Sequence, residues 1–232
     1  MPVTTVGLDA DDTLWHNETV FRLTHERFAV LLADFADPGT LDAHLAATEA
    51  RNLRLYGYGV KGFTLSMIET ALEVTGGRAP GHVIQDILAA GREMLDHPVE
   101  PLPGVQAALE TLAEQGRRLV LITKGDLFHQ ERKLAASGLG ELFSAVEIVS
   151  EKTAETYARV FERHGTGAAE AVMAGNSVRS DVTPALEAGA WAARVPYPLV
   201  WAHEAAEAPH GHPRFRELAT LAELPGWIES LG

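Results

Sequence analysis

Near the start of the chain, the stretch TVGLDADDTLWHNE (residues 5–18) places three carboxylates, Asp9, Asp11 and Asp12, directly behind an apolar run. In an extended strand, residues i and i+2 point the same way. Asp9 and Asp11 would therefore project together at the carboxyl end of the strand while Ala10 faces the other side. Two carboxylates held that close repel, and the usual remedies are a bound divalent cation or a shared proton. A lone acid after a strand needs no explanation beyond a solvated turn. Three acids on one apolar strand, followed by Thr13 and Leu14, point instead to chemistry.

Hydrophobic periodicity marks the elements that must position these acids. The runs TTVGLD (4–9), RRLVLIT (117–123), SAVEIV (144–149), EAVMAG (170–175) and WAARV (191–195) are predicted strands. Helical patterns lie between the later ones: PGVQAALETLAEQG, LFHQERKLAASG, TAETYARVFERHG and VTPALEAGA. Strands spaced by helices predict an α/β fold, a doubly wound parallel sheet covered on both faces. Such sheets bind ligands at the carboxyl edge of their strands. Gly116, Gly138, Gly165 and Gly189 are placed to close helices at their C-terminal ends. The interval from the first strand to Pro101 breaks the alternation. Its segments ETVFRLTHERFAVLLADFA, LDAHLAATEARNLRLY, FTLSMIETALEVTGG and HVIQDILAAGREML read as four amphipathic helices inserted into the α/β domain. The predicted division is a core of residues 1–14 and 99–232 and a helical module of 15–98, and EAAEAPHGHP (204–213) reads as a flexible surface segment.

The chain has 232 residues, 46% of them hydrophobic and 22% charged, enough for a sizeable core. A net charge of −13 sets the average surface against nucleic-acid backbones and anionic membranes, whereas a few local donors suffice to bind a small anion. The absence of cysteine excludes disulfides, thiol nucleophiles and thiolate metal sites. No run of about 18 apolar residues occurs, and the N-terminus lacks the layout of a signal peptide. A cytoplasmic protein with neither membrane nor nucleic-acid partners is expected.

The chain resembles the haloacid dehalogenase-like (HAD) superfamily of hydrolases at four places, in order, over nearly its whole length. An apolar strand ending D-x-D-x-T/V-L is matched by GLDADDTL, and a strand ending in Thr or Ser by LVLITKGD with Thr123. A Lys near the start of a later helix is matched by Lys152 in VSEKTAETY. A strand followed by G-D-x-x-x-x-D is approximated by MAGNSVRSD, with Gly175, Asn176 and Asp181. The inserted helices correspond to the C1 cap of that superfamily, placed between its first two motifs. The resemblance implies a Rossmann-like core whose Asp9 strand is central, with the Thr123 and Gly175 strands on either side. It also implies phosphoryl transfer through an aspartyl-phosphate. Asp9 would attack phosphorus, and Asp11 would protonate the leaving oxygen and later deprotonate water. Mg²⁺ would be held by the Asp9 side chain, the Asp11 backbone carbonyl and Asp181, with Asn176 nearby. Thr123 and the backbone amides of Lys124 and Gly125 would donate to phosphoryl oxygens, and Lys152 would neutralise charge building there. Two positions depart from the pattern. Asn176 stands where Asp is commoner, which keeps an oxygen ligand and removes a charge. Asp12 replaces the commoner Gly, and is expected to face outward or cap the following turn without a catalytic role.

The expected activity is therefore Mg²⁺-dependent hydrolysis of small phosphomonoesters. A phosphomutase on the same scaffold is the alternative. Haloacid dehalogenases lack a carboxylate two residues after the nucleophile, so Asp11 counts against that branch, and retention of all the motif residues counts against a non-catalytic binding module. The glycine-rich GYGVKG spells the dinucleotide fingerprint G-x-G-x-x-G at Gly57, Gly59 and Gly62, but the preceding segment is helical rather than a strand. In proteins the chain resembles, a loop there shapes leaving-group specificity, so Tyr58 and Lys61 are candidate substrate-binding residues beside an ordinary helix-helix turn. The three histidines of HEAAEAPHGH lack zinc-site spacing, and His16, where the insertion begins, reads as a packing residue at the hinge or as a substrate contact.

Overall fold

The computed structural model describes residues 2–231. In chain order the elements are β1 (Thr5–Leu8), α1 (Glu18–Leu31), α2 (Pro38–Tyr56), α3 (Val60–Val74), α4 (Gly81–Leu95), α5 (Val105–Glu114), β2 (Arg118–Lys124) and α6 (Leu127–Ser137). There follow β3 (Ala145–Val149), α7 (Ala154–His164), β4 (Ala171–Gly175), α8 (Thr183–Glu187), β5 (Trp191–Arg194), β6 (Phe215–Glu217) and α9 (Leu224–Glu229). The chain divides into two compact units. One gathers the chain up to Glu18, Val99–Lys124 and the chain from Gln130 on; the other gathers Thr19–Pro98 and Gly125–His129.

The first unit is built on a six-stranded sheet of order β3-β2-β1-β4-β5-β6, parallel at every pairing. β1 lies between β2 and β4, the arrangement implied for an HAD-like core. The period-2 alternation of each strand sends its side chains to two separate cores. Val6, Leu8, Leu119, Leu121, Val172 and Ala174 join residues of α5 and α9, among them Leu109, Leu112, Leu224 and Ile228. Val120, Ile122, Met173 and Ala192 join Tyr157, Val160 and Phe161 of α7 and Ala185 of α8. Burial on both faces explains why these strands read as continuous apolar runs. Gly7 at the middle of β1 makes room on the second face, where a Cβ would stand 2.9 Å from Ile122 Cδ1 and 3.1 Å from Phe161 Cε1.

Two local readings are corrected. Gly116, Gly138 and Gly189 have φ of 73°, 72° and 86°, as left-handed helix caps require. Gly165 does not: its φ is −149°, and it is small because a Cβ there would collide with Thr5 Oγ1. The segment after β5 is ordered by a 3₁₀ turn at Ala202–Glu204 and returns as β6, which is too short for alternation to reveal it.

The second unit packs α1–α4 around Phe28, Leu32, Leu41, Leu45, Phe63, Met67, Ile87 and Met94. α2 begins with Asp37, whose carboxylate accepts from Thr40 N at 3.0 Å, and with Pro38, a residue whose missing N–H costs nothing at that position. Gly57 and Gly59, with φ of 71° and 108°, form the break between α2 and α3. The element before GYGVKG is thus a helix, which removes the dinucleotide reading. Residues 15–18, expected with the insertion, cluster with the α/β unit, because Trp15 forms bridges with Asp11 and Pro101. Residues 125–129 cluster with the helices, where Asp126 pairs with Lys61 at 2.9 Å. No helix among the described residues is long and apolar enough to cross a membrane.

Candidate active site

The chain leaves β1 at Leu8 and turns sharply at the carboxyl edge of the sheet. Asp9 N is held by Ala174 O of β4 at 2.9 Å, and Leu14 N closes the turn on Ala10 O at 2.8 Å. Within that turn the three acids have separate surroundings.

Asp9 is buried, with its side chain 10% exposed. Its Oδ1 accepts from Lys152 Nζ at 2.5 Å and its Oδ2 from Thr13 Oγ1 at 3.1 Å. Lys152 Nζ also donates to Asp181 Oδ1 at 2.7 Å, so one ammonium sits between two carboxylates. Burial pushes the Asp9 carboxyl up to about 7 despite Lys152, with Asp181 adding to the rise. Burial works against the charge of Lys152, yet Asp181 and Asp9 hold it protonated, above its ordinary value. Asp181 is fixed by Ser177 N at 2.9 Å and by Tyr157 Oη at 3.5 Å, the latter hydroxyl also donating to Ser180 O at 2.9 Å. The turn carrying it, Val178–Val182, is wound as a π-helix, a form that recurs at functional sites. Gly175 is obligatory beside it, since a Cβ would collide with the Asp181 carboxylate.

Asp11 has its own clamp. Trp15 Nε1 donates to Oδ1 at 2.8 Å, Lys133 Nζ to Oδ1 at 2.5 Å and Gln130 Nε2 to Oδ2 at 3.0 Å. Burial raises the Asp11 carboxyl, but Lys133 and the hydrogen bonds from Gln130 and Trp15 outweigh it and hold the group below the usual carboxylate range. Gln130 also donates to Thr123 Oγ1 at 3.1 Å and to Lys124 O at 2.6 Å, joining Asp11 to the end of β2. None of Trp15, Gln130, Lys133 and Tyr157 was singled out for chemistry in the sequence. The signal for two of them was present: Gln130 and Lys133 lie three apart on α6, polar residues on one face of the helix that follows Thr123.

Asp12 is buried rather than outward-facing, and it caps. Its φ of 60° is the only positive value at a non-glycine among the described residues, and Asp tolerates it. Oδ1 accepts from Asn17 N at 2.8 Å and Glu18 N at 3.0 Å, where α1 begins. Asp12→Asn keeps an acceptor and a residue type suited to φ > 0, so activity should stay within a few-fold of wild type. Asp12→Ala should cost about 1–2 kcal/mol by stranding the two amides. Denaturant midpoints measured beside turnover check both, and a loss of activity in Asp12→Asn comparable to that of Asp11→Asn would contradict the capping role.

The other candidates are placed as follows. Asn176 N donates to Thr13 Oγ1 at 3.1 Å, and its Oδ1 lies 3.4 Å from the same hydroxyl. Lys124 directs its ammonium to Ser180 Oγ and Glu204. Gly125, φ 129°, Tyr58 and Lys61 belong to the helical unit, where Lys61 is paired with Asp126. His16 Nδ1 and Tyr197 Oη are hydrogen-bonded at 2.6 Å.

Among the described residues no three His, Asp or Glu side chains are gathered as a metal cluster. The donors around Asp9 nevertheless suit a hard divalent cation. They are all oxygen: the carboxylates of Asp9 and Asp181 and the amide oxygen of Asn176. Lys152 stands between two of these acids, Asp9 and Asp181, while Lys133 pairs with Asp11.

Comparisons with known proteins bear on the family and the fold. A family model for haloacid dehalogenase-like hydrolases matches residues 3–189. The crystal structure of a haloacid dehalogenase-like family hydrolase from Xanthomonas campestris is 44% identical, with 99% of this chain and 91% of that one covered and a TM-score of 0.88. At 18% identity, where only the fold is shared, an HAD-hydrolase from Bacillus subtilis bound to magnesium aligns over 98% and 99% of the two chains with a TM-score of 0.66. L-2-haloacid dehalogenase from Xanthobacter autotrophicus, with chloropropionic acid covalently bound, aligns over 99% and 100%, also at 18% identity and a TM-score of 0.66. No curated protein sequence matches significantly. With the four motifs, the parallel sheet and a family match over residues 3–189, the chain belongs to the haloacid dehalogenase-like hydrolases.

Proposed function

We propose that this hydrolase acts on small phosphomonoesters with Mg²⁺, through a phosphoryl group carried on Asp9. The observation that supports phosphoryl chemistry over dehalogenation is Asp11: a second carboxylate two residues after the nucleophile, half-buried and held by Trp15, Gln130 and Lys133. In this reading an Asp9 oxygen attacks phosphorus as the bond to the ester oxygen breaks, and Asp11 gives that oxygen its proton. Water then attacks the aspartyl-phosphate, Asp11 takes its proton, and inorganic phosphate leaves with Asp9 restored. Asp11 enters the first half protonated and regains that proton from the water in the second, and the Lys133 ammonium beside it favours the ionised form needed between the two. Lys152, set between Asp9 and Asp181, neutralises charge on the phosphoryl oxygens as it builds, and Thr123 with the Lys124 amide donates to them. Asp9, Asp181, Asn176 and the Asp11 backbone carbonyl would hold Mg²⁺, whose chemistry is to polarise the phosphoryl group and offset its charge. Tyr58 and Lys61 are assigned to leaving-group selection, and the cysteine-free chain is assigned to the cytoplasm.

The experiment is a panel of sugar phosphates, phosphoglycolate and nucleoside monophosphates with Mg²⁺ or with chelator, beside 2-chloropropionate as the halide-releasing alternative. Phosphate release that chelator abolishes is expected. Halide release without phosphate release would instead establish a dehalogenase, and isomerised sugar phosphate without free phosphate a mutase.

A further inference from the structure

The segment after β5 read as flexible surface in the sequence, yet it delivers a carboxylate into the site region of the α/β unit. Glu204, in the 3₁₀ turn Ala202–Glu204, has its side chain 15% exposed. Its Oε1 accepts from Lys124 Nζ at 2.6 Å. Its Oε2 accepts from Ser177 Oγ at 2.6 Å and from Ser180 Oγ at 2.5 Å. Lys124 Nζ donates to Ser180 Oγ at 2.9 Å, and Ser180 N to Ser177 Oγ at 3.0 Å, so each hydroxyl both gives and receives a hydrogen bond. Next in the chain, His203 O accepts from Arg179 Nη1 at 2.6 Å. These bonds converge on the π-helical turn that carries Asp181, whose Oδ2 is held by Ser177 N. Burial would raise the Glu204 carboxyl, but Lys124 and the two serines bring it down to about 2.

From this geometry we propose that Glu204 is a positioning residue for the cation site: it neutralises Lys124 and fixes Ser177 and Ser180, so that Asp181, already bonded to Lys152, is presented to Mg²⁺ without a second, uncompensated ammonium beside its turn. The proposal rests on the reading of Asp181 as a cation ligand. Glu204 touches neither substrate nor metal; it acts through Lys124 and the two serines. Residues that orient a ligand in this way typically change metal affinity by about 10–100-fold when removed.

The test measures Mg²⁺ affinity by calorimetry, with thermal stability and steady-state kinetics, for wild type, Glu204→Ala, Lys124→Met and the double variant. Glu204→Ala should weaken Mg²⁺ binding by about tenfold or more and lower kcat similarly, with KM changed less than about twofold. Removing the Lys124 ammonium as well, in Glu204→Ala/Lys124→Met, should recover the charge-dependent part of the lost affinity, which a loss of packing alone would not allow. Glu204→Gln serves if the Ala variant does not fold: with the charge gone and one oxygen replaced by a donor, it should shift affinity in the same direction. Unchanged Mg²⁺ affinity in Glu204→Ala or Glu204→Gln, or a deficit that Lys124→Met leaves in place, overturns the positioning role alone. Wild-type protein that binds no Mg²⁺ overturns the cation reading and this proposal with it.

Discussion

Replacing Asp9 by Asn should abolish phosphate release, by at least about 10⁴-fold, while leaving a folded protein. The two halves of that expectation have different causes. An amide oxygen is a poor nucleophile and a poor site for a phosphoryl group, so the covalent route is closed; losing a nucleophile elsewhere costs about as much as losing the whole catalytic set. Stability is spared because Asp9 and Asp181 share one ammonium in the native protein. Taking away the first leaves Lys152 and Asp181 matched one to one, and the Asn side chain can still accept from Thr13, which donates to Oδ2 of Asp9 at 3.1 Å. A melting temperature near that of wild type together with lost turnover is the expected pair of measurements. Residual activity above about 1% of wild type would mean that Asp9 does not carry the phosphoryl group.

The sheet and the site were legible to different depths. β1, β2 and β4 were visible as apolar runs because both faces of the parallel sheet are buried, and the four helices of the second unit because each buries one stripe. Strand order is not contained in periodicity; it followed from the HAD resemblance. The crowding of acids in TVGLDADDTLWHNE was visible, but its resolution was not. The sequence left a divalent cation or a shared proton as the remedy; the structure adds two ammoniums to the acids, Lys152 beside Asp9 and Asp181 and Lys133 beside Asp11. Lys133 was hidden because it lies 122 residues from Asp11 and in an amphipathic helix any lysine reads first as solvated. Glu204 was hidden more deeply: its partner Lys124 is 80 residues away, and its own surroundings, rich in Ala, His and Pro, carry the marks of a surface loop. Long-range pairing of charges has no local signature. What can be read locally is only that a charged residue must find a partner if it is buried.

Lys152→Met should be the most damaging single substitution for stability and among the worst for activity. The side chain is 2% exposed, and its ammonium contacts Asp9 at 2.5 Å and Asp181 at 2.7 Å. Met fills a similar volume, so the loss is one of charge rather than packing, and it leaves two buried carboxylates facing each other with no cation between them. Breaking a buried ion pair by removing one partner costs about 3–5 kcal/mol, and here two partners are stranded at once. Turnover should fall by about 10³-fold, the size of effect seen when a group that stabilises transition-state charge is deleted. Lys152→Arg separates the two consequences. It restores a positive charge, so part of the stability should return, but its planar fork cannot take the point position of an ammonium between Asp9 Oδ1 and Asp181 Oδ1. Activity should therefore stay low. Denaturant unfolding and phosphate release, measured on both variants, decide the matter: an Arg variant as active as wild type would show that charge alone suffices, and a Met variant as stable as wild type would show that the carboxylates find other compensation.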